Sequence, residues 1–216
     1  MRAAACQTWL MIAPSKAPER SAIGVRAHSG WAAYVVLGGD AKSPQILARG
    51  RMQLCDAAIA GSKQPFHEAE PMAYPAAETF IARCTVSSAK LAATAIGEIA
   101  ERFAPKACCV LTASGRQLPD LRSILASHST IHAAEGEFYR DAVAAACAGR
   151  AIAIRRVRER DMEVEIQALP VSVSAAKARL AAFGKQIGAP WTQDEKLSAL
   201  GAWLMLAALP PRRRGR

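Results

Sequence analysis

Residues 22–37, AIGVRAHSGWAAYVVL, decide the fold. Two apolar runs, one beginning at Ala22 and one over Trp31–Leu37, flank the turn-like sequence Arg26-Ala27-His28-Ser29-Gly30. The pattern predicts two strands joined by a short turn. A third run, Gln45–Leu54, alternates apolar and polar residues with period two, which is typical of a half-exposed strand. Three strands with short connections predict an antiparallel meander.

The rest of the chain alternates helical and strand patterns. After a polar loop over residues 61–75, apolar residues at helical spacing predict a long helix from Ala76 to Phe103, which Pro105 ends. Further predicted elements are strands at Ala107–Leu111 and Ala151–Val157, and helices at Ile131–Ala148, Ser174–Ile187 and Gln193–Leu209. Thr192 and Glu195 form a capping-box pattern at the start of the last helix. The predicted order is β-β-β-α-β-α-β-α-α, an α/β fold with a mixed sheet.

Composition excludes several classes of protein. With 51% hydrophobic and 21% charged residues, the chain is globular rather than disordered. No pair of its six cysteines has C-x-x-C spacing, and we interpret them as reduced thiols of a cytoplasmic protein. The longest C-terminal apolar run, Leu197–Leu209, is shorter than the roughly 20 residues of a membrane span. The net charge of +10, concentrated toward the chain ends, favours an anionic partner.

The chain divides into three predicted parts. Residues 1–21 form a flexible N-terminal extension, with a targeting peptide or an early start codon as alternatives. Residues 22–209 form one domain. Residues 210–216 form a basic C-terminal tail with four arginines.

The segment Ile23-Gly24-Val25-Arg26-Ala27-His28-Ser29-Gly30-Trp31-Ala32 resembles the opening hairpin of the ribonuclease H-like superfamily, in the branch that holds the RuvC-type Holliday-junction resolvases. The order of elements resembles that fold over most of residues 22–209. The stretch Asp194-Glu195-Lys196-Leu197-Ser198-Ala199 is similar to the acidic start of the final helix in those resolvases. Two further segments, His128–Asp141 and Pro190–Asp194, resemble signatures of a bacterial protein family that carries no function assignment.

The resemblance implies a nucleic-acid partner and a catalytic divalent metal, Mg²⁺ or Mn²⁺. In the family an aspartate on the first strand binds the magnesium, and here that position is Arg26. The family's carboxylate after the fourth strand also has no counterpart, because residues 112–116 read TASGR. Asp194 is the acidic position that is kept. It can equally be a first-turn residue that the helix dipole stabilises by about 0.3–1 kcal/mol.

A second polar cluster lies on the helix that begins near Ile131. His132, Glu135 and Tyr139 recur at i, i+3 and i+7, so they share one face beside the apolar stripe. An imidazole and a carboxylate one turn apart can share a proton or a metal, and a solvated helix face is the alternative. His128 and His132 are four residues apart, which allows a zinc site, but solvated loop histidines are the favoured interpretation.

These observations predict a divergent ribonuclease H-like protein that acts on or binds nucleic acid, with metal-dependent phosphodiester hydrolysis as the catalytic version. In the catalytic form, Asp194 and Glu135 would hold the metal, and His132 or His28 would transfer protons. Contacts to phosphate or substrate would come from the group Arg26, Arg116 and Tyr139. The first alternative is an inactive binding module in which Arg26 replaces a metal ligand. The second is a small-metabolite hydrolase.

The sharpest expectation is geometric. If the fold is ribonuclease H-like, the first strand and the final helix meet at one end of the sheet. Asp194, Glu135 and one of Arg26, His28 or His132 should then line a common cleft.

Overall fold

A six-stranded mixed sheet forms the centre of the computed structural model, which describes Leu10–Met11, residues 19–113 and residues 117–210. The strand order is β1-β4-β3-β2-β5-β6. The strands are β1 (Leu10–Met11), β2 (Ser21–His28), β3 (Trp31–Asp40), β4 (Ser43–Gln53), β5 (Ala107–Thr112) and β6 (Ala153–Arg158). β2, β3 and β4 form an antiparallel meander, whereas β5 and β6 run parallel to β2.

The opening hairpin follows directly from its sequence. His28 pairs with Trp31, so Ser29 and Gly30 alone form the turn. Gly30 has a φ of +83°, a left-handed conformation that glycine adopts without steric cost. Alternation then points Ile23, Val25 and Ala27 toward one face of the sheet, while Gly24, Arg26 and His28 lie on the other.

The described ranges contain seven α-helices. They are α1 (Pro65–Ala69), α2 (Tyr74–Phe103), α3 (Leu121–Leu125), α4 (His128–Ala148), α5 (Met162–Glu165), α6 (Val173–Ile187) and α7 (Gln193–Ala208). α2 and α4 pack on the face that holds Ile23 and Val25. α6 and α7 pack on the opposite face, where Trp203 and Phe183 are fully buried.

A third hydrophobic cluster joins α1, α3 and the N-terminal halves of α2 and α4. It contains Phe66, Ile81 and Ile131, and no strand contributes to it. This part of the molecule therefore extends beyond the sheet on the side of α2 and α4.

The predicted fold class and element order are confirmed, with additions. α1 forms within the stretch predicted as a polar loop, because Pro65 occupies the first helical turn, where its missing N–H costs no hydrogen bond. α4 begins three residues before Ile131, since polar His128, Ser129 and Thr130 form a first turn without an apolar stripe. β6 begins at Ala153 because Ala151 has a φ of +55°, which breaks the strand there.

The ends of the predicted domain also differ in detail. Leu10 and Met11, inside the predicted extension, pair with Arg49 and Ala48 at the free edge of β4. Ser21 is buried in β2, and Arg20 donates to the carbonyls of Leu206 and Leu209 at 3.0 Å each. Residues 1–9, 12–18 and 211–216, which carry most of the predicted extension and tail, lie outside the described residues.

The composition predicts reduced cysteines and no membrane-spanning segment. The five cysteines of the described ranges, Cys55, Cys84, Cys108, Cys109 and Cys147, are free thiols. Among the helices described, none is both long and apolar enough to cross a bilayer.

Candidate functional site

The carboxyl ends of β2, β5 and β6 lie side by side at one edge of the sheet. Arg26 pairs with Leu111 of β5, and Leu111 pairs with Val157 of β6. Glu159 comes two residues after Val157, just past the end of β6. In open α/β sheets this edge is where ligands bind. The strand register therefore brings Arg26 and Glu159 together across the end of β5.

α7 comes unusually close to β2 because Gly24 has no side chain. A Cβ at Gly24 would overlap the carbonyl oxygen of Ser198, and one at Gly201 would lie 3.0 Å from Cys109. Ser198 is fully buried and donates from its hydroxyl to the carbonyl of Ala33 at 3.3 Å. Asp194 lies one helical turn before Ser198, and Arg26 lies two residues after Gly24 on the same strand face. The close packing at Gly24 thus sets Asp194 beside Arg26.

The start of α7 is fixed by its own hydrogen bonds. Thr192 and Glu195 form the predicted capping box: the Thr192 hydroxyl accepts from the Glu195 N–H at 3.3 Å, and the Thr192 N–H donates to Glu195 Oε2 at 2.7 Å. Arg49 of β4 also donates to Glu195 Oε1 at 2.9 Å and to backbone carbonyls before α7. Asp194 is therefore presented by a helix start with little freedom to move.

One guanidinium is shared by two carboxylates at this edge. Arg26 donates to Glu159 twice, from Nε to Oε1 at 3.0 Å and from Nη2 to Oε2 at 2.7 Å. Its Nη1 donates to Asp194 Oδ1. His28 Nε2 lies 3.1 Å from the same Asp194 oxygen and 3.3 Å from Arg26 Nη1. Every nitrogen of the Arg26 guanidinium is thus engaged by a neighbouring side chain.

The electrostatics of this group favour its ionised form. Burial alone raises the pKa of Asp194, but the hydrogen bond from Arg26 and the charges of His28 and Arg26 outweigh it and hold the pKa below its ordinary value of 3.8. The hydrogen bonds that Arg26 donates to Glu159 raise the pKa of Arg26 against the opposing effect of burial. The two acids and the arginine form a mutually stabilised ion-pair cluster.

A second ion-pair cluster lies behind the same strand ends on the α4 side. Arg140 Nε donates to the Leu111 carbonyl at 2.9 Å, and Nη1 donates to the Gly136 carbonyl and lies 3.4 Å from Glu137. Glu137 also accepts from Arg156 at 3.1 Å. Burial lowers the pKa of Arg140, and the charge of Glu137 opposes that effect. Charges of both signs therefore alternate around this edge of the sheet.

An open cavity of about 550 Å³ adjoins Asp194. Trp31 and Arg51 line it on the sheet side, and Pro190, Thr192 and Glu195 line it on the helix side. Trp31 stacks on His28 with ring centroids 4.4 Å apart and a 16° angle between planes. The Arg51 guanidinium carbon lies 3.7 Å from the Trp31 ring centroid. Trp31 thus contacts both the His28 imidazole and the Arg51 guanidinium beside the cavity that Asp194 also lines.

The structure brings together three of the residues predicted for the site. Asp194 meets both Arg26 and His28, as expected from the meeting of the first strand and the final helix. Arg26, predicted as a phosphate contact, instead has its donors taken up by Glu159 and Asp194.

The prediction that Glu135 shares a cleft with Asp194 is wrong. Glu135 belongs to α4, which packs on the opposite face of the sheet from α7. Its Oε1 accepts from the N–H of Phe66 at 2.7 Å and of His67 at 3.1 Å. Burial raises the pKa of Glu135, although the bonds from His67 and Phe66 counteract it. Asp194 and Glu135 therefore cannot hold one metal ion between them.

His132 and Tyr139, two of the remaining predicted residues, lie away from the Arg26 site. His132 is exposed on α4 and contacts His128 and His67. Tyr139 is buried, with its hydroxyl donating to the Ser62 carbonyl, so the predicted substrate contact is wrong because the hydroxyl is used inside the core. Arg116 lies outside the described residues.

Glu159 is the main residue that sequence reasoning missed. It is the first acid after β6, in the sequence Arg158-Glu159-Arg160-Asp161. A signal was available, because the carboxyl end of any strand parallel to the first one reaches the same edge. The resemblance instead places an acid at the end of β5, where residues 112–116 contain none.

The residues present do not fit the magnesium ion that the fold resemblance implies. Mg²⁺ binds through carboxylate oxygens in octahedral geometry. Here the two available carboxylates, Glu159 and Asp194, are both bonded to the Arg26 cation. A second cation between them would meet the guanidinium charge at contact distance, which is strongly repulsive.

Among the comparisons with known proteins, only the one with solved structures bears on the fold. No family model and no curated protein matches the sequence. A solved structure of Thermus thermophilus RuvC in complex with a Holliday junction substrate matches with a TM-score of 0.52 and 11% identity, over 88% of this chain and 95% of that one. A second Thermus thermophilus RuvC structure matches with a TM-score of 0.51 and 11% identity, over 87% and 95% of the two chains. The chain therefore has an α/β fold like that of these RuvC structures, consistent with a ribonuclease H-like fold.

Proposed function

We propose that this protein binds nucleic acid through a ribonuclease H-like fold and does not hydrolyse it. The observation that carries the proposal is the three-way contact of Arg26 with Glu159 and Asp194 at the carboxyl end of β2. An arginine stands here where the resemblance expects a metal-binding aspartate. The presence of arginine at this position favours the binding module over the other functions that the sequence left open.

Charge balance explains why an arginine can take this position. Two carboxylates at one strand edge repel each other unless a cation lies between them. The guanidinium supplies that positive charge with donors in a planar fork that matches a carboxylate at two points. Because the guanidinium is bonded to both Glu159 and Asp194, these acids are not free to hold a metal ion that would activate water.

Arg51 is the residue best placed to contact a phosphate. It is exposed at the cavity rim, and within the described ranges no carboxylate forms an ion pair with it. The indole of Trp31 supports the flat face of its guanidinium, which leaves the N–H edge free to donate. Arginine stacked in this way is pre-organised for phosphate recognition.

Branched DNA is the first ligand to test. One of the similar structures is a RuvC complex with a Holliday junction substrate, and this chain carries a net charge of +10. Neutralising several phosphates makes binding depend on salt, because counterions are released. The proposal therefore predicts an affinity that falls as salt rises.

The test is fluorescence anisotropy with a labelled four-way junction and a duplex of the same length, over a range of salt concentrations. Wild-type protein should bind the junction without added Mg²⁺. Arg51→Gln should weaken binding and reduce the salt slope by about 1. Arg83→Gln is the matched control, because Arg83 is an exposed arginine of α2 on the opposite face. Absence of binding to either DNA, or equal loss in the two variants, would overturn the proposal.

A further inference from the structure

Three histidines converge where α1 meets the start of α4. His67 lies on α1, and His128 and His132 lie one turn apart on α4. One ring nitrogen from each lies within 4.8 Å of the other two. The Nε2 atoms of His128 and His132 are 3.1 Å apart. Tetrahedral zinc with bonds of about 2.0–2.1 Å places its ligand nitrogens roughly 3.3–3.4 Å apart, so this spacing suits a shared metal.

The outer ring nitrogens of two histidines face carboxylates. His67 Nδ1 lies 3.2 Å from Glu135 Oε1, and His128 Nδ1 lies 3.8 Å from Glu70 Oε1. Histidines that bind metals generally donate their second ring N–H to a carboxylate, a carbonyl or water, which fixes the tautomer and aims the ring. In both residues this leaves Nε2 with its lone pair available. For His128, Nε2 is the atom that faces His132.

Glu135 has a buried charge that lacks a fixed cation. Its side chain is 6% exposed, and within the described ranges its only ion-pair partner is His67. Oε1 takes all of its hydrogen bonds, whereas Oε2 is buried without a partner. An unpaired buried carboxylate is costly. A dication bound to His67 would supply positive charge to Glu135 through the imidazole.

We propose that His67, His128 and His132 form a zinc site, with Glu135 as the residue that positions His67. Imidazole nitrogen is a preferred donor for zinc. The side chain of His128 is 65% exposed, so a fourth position is open to solvent. Three protein ligands with one open position are typical of zinc sites that accept a water or a ligand atom. The site lies on the α4 side of the sheet and is independent of the proposed DNA binding at Arg51.

The test is isothermal titration of full-length, metal-free protein with Zn²⁺. One ion should bind per chain, and His132→Ala should weaken binding at least tenfold. Glu135→Gln should weaken it by roughly 10- to 100-fold, as expected for a carboxylate behind a ligand. His28→Ala is the matched control, because His28 is the one other histidine of the sequence, and it should leave Zn²⁺ affinity unchanged.

Two further measurements separate this site from other causes. The metal-free melting temperature of His132→Ala should equal that of the wild type, because the residue is exposed. Titration with Co²⁺ should give a spectrum of nitrogen and oxygen ligands without a thiolate charge-transfer band, which excludes binding at the cysteines. Absence of Zn²⁺ binding, unchanged affinity in His132→Ala, or a thiolate band would each overturn the proposal. In those cases His128 and His132 share only a hydrogen bond.

Discussion

Arg26 and Glu159 form a two-point ion pair across the end of β5, with N–O distances of 3.0 and 2.7 Å. The pair joins two strands that are not neighbours in the sheet. Because Asp194 binds the same guanidinium from α7, one side chain connects β2, β6 and the last helix. The edge at which ligands bind in such folds is therefore closed by a salt-bridge cluster.

Replacing Arg26 by glutamine should destabilise the protein by about 1.5–3 kcal/mol, the range for hydrogen bonds to charged groups. The loss would leave Glu159 and Asp194 facing each other without a cation. The free energy of unfolding in urea measures the effect. Arg155→Gln is the control: Arg155 also forms a close pair with Glu165, but its side chain is 45% exposed. That exposed pair should contribute under about 1 kcal/mol. Equal losses in the two variants would contradict a special role for Arg26.

Replacing Arg26 by aspartate should make stability depend on divalent metal. Three carboxylates would then meet at one edge, and their repulsion should lower the melting temperature in metal-free buffer. Millimolar Mg²⁺ should recover part of that loss, because oxygen ligands suit this ion. The wild-type melting temperature should respond little to Mg²⁺ by comparison. If Mg²⁺ leaves the variant as unstable as before, Arg26 does not occupy a metal position.

The contribution of Asp194 to stability should be lost in acid. Arg26 and His28 of β2 face this carboxyl and hold its pKa below 3.8, despite the opposing effect of burial. A carboxyl whose pKa is lower in the folded state stabilises the fold above its unfolded pKa. That stabilisation disappears as the pH falls through the folded pKa. The difference in unfolding free energy between wild type and Asp194→Asn should therefore shrink as the pH falls below 3.8. A difference that stays the same at pH 3 would show that ionisation is not its cause.

Gly24→Ala should disturb both the fold and the site. The added methyl group would overlap the Ser198 carbonyl, so α7 must move away from β2. Extra atoms in a packed core lower the free energy of unfolding by about 1–3 kcal/mol. Thermal unfolding measures the loss. Gly149→Ala is the control, since its φ is −62° and an added Cβ would lie 3.5 Å from the Ala145 oxygen, an ordinary contact distance. Similar melting temperatures for the two variants would contradict the close approach of α7.

Local sequence patterns were enough to predict most of the fold. The period-two run over Gln45–Leu54 and the helical spacing before Pro105 reflect burial on one face, which sequence records directly. The start of α4 was misplaced because His128, Ser129 and Thr130 form a helical turn without an apolar residue. α1 was missed because five residues between turns carry too little periodicity to be distinguished from a loop.

The site was predictable only where topology determines contact. Arg26 and Asp194 meet because the first strand and the last helix of this fold share an edge. Glu135 was assigned to the wrong side of the sheet, because helical spacing shows which residues share a face but not which layer that face meets. The His67 contact with α4 depends on the placement of the loop helix, which no local pattern encodes.

The replacement of a metal ion by Arg26 is tested most directly by incubating wild-type protein with a labelled four-way junction in Mg²⁺ and in Mn²⁺, and resolving the strands on a denaturing gel. Binding should be confirmed in the same mixtures by anisotropy. The proposal predicts that the junction is bound and every strand stays intact in both metals. Metal-dependent cleavage by the wild type that disappears in Asp194→Asn would contradict it.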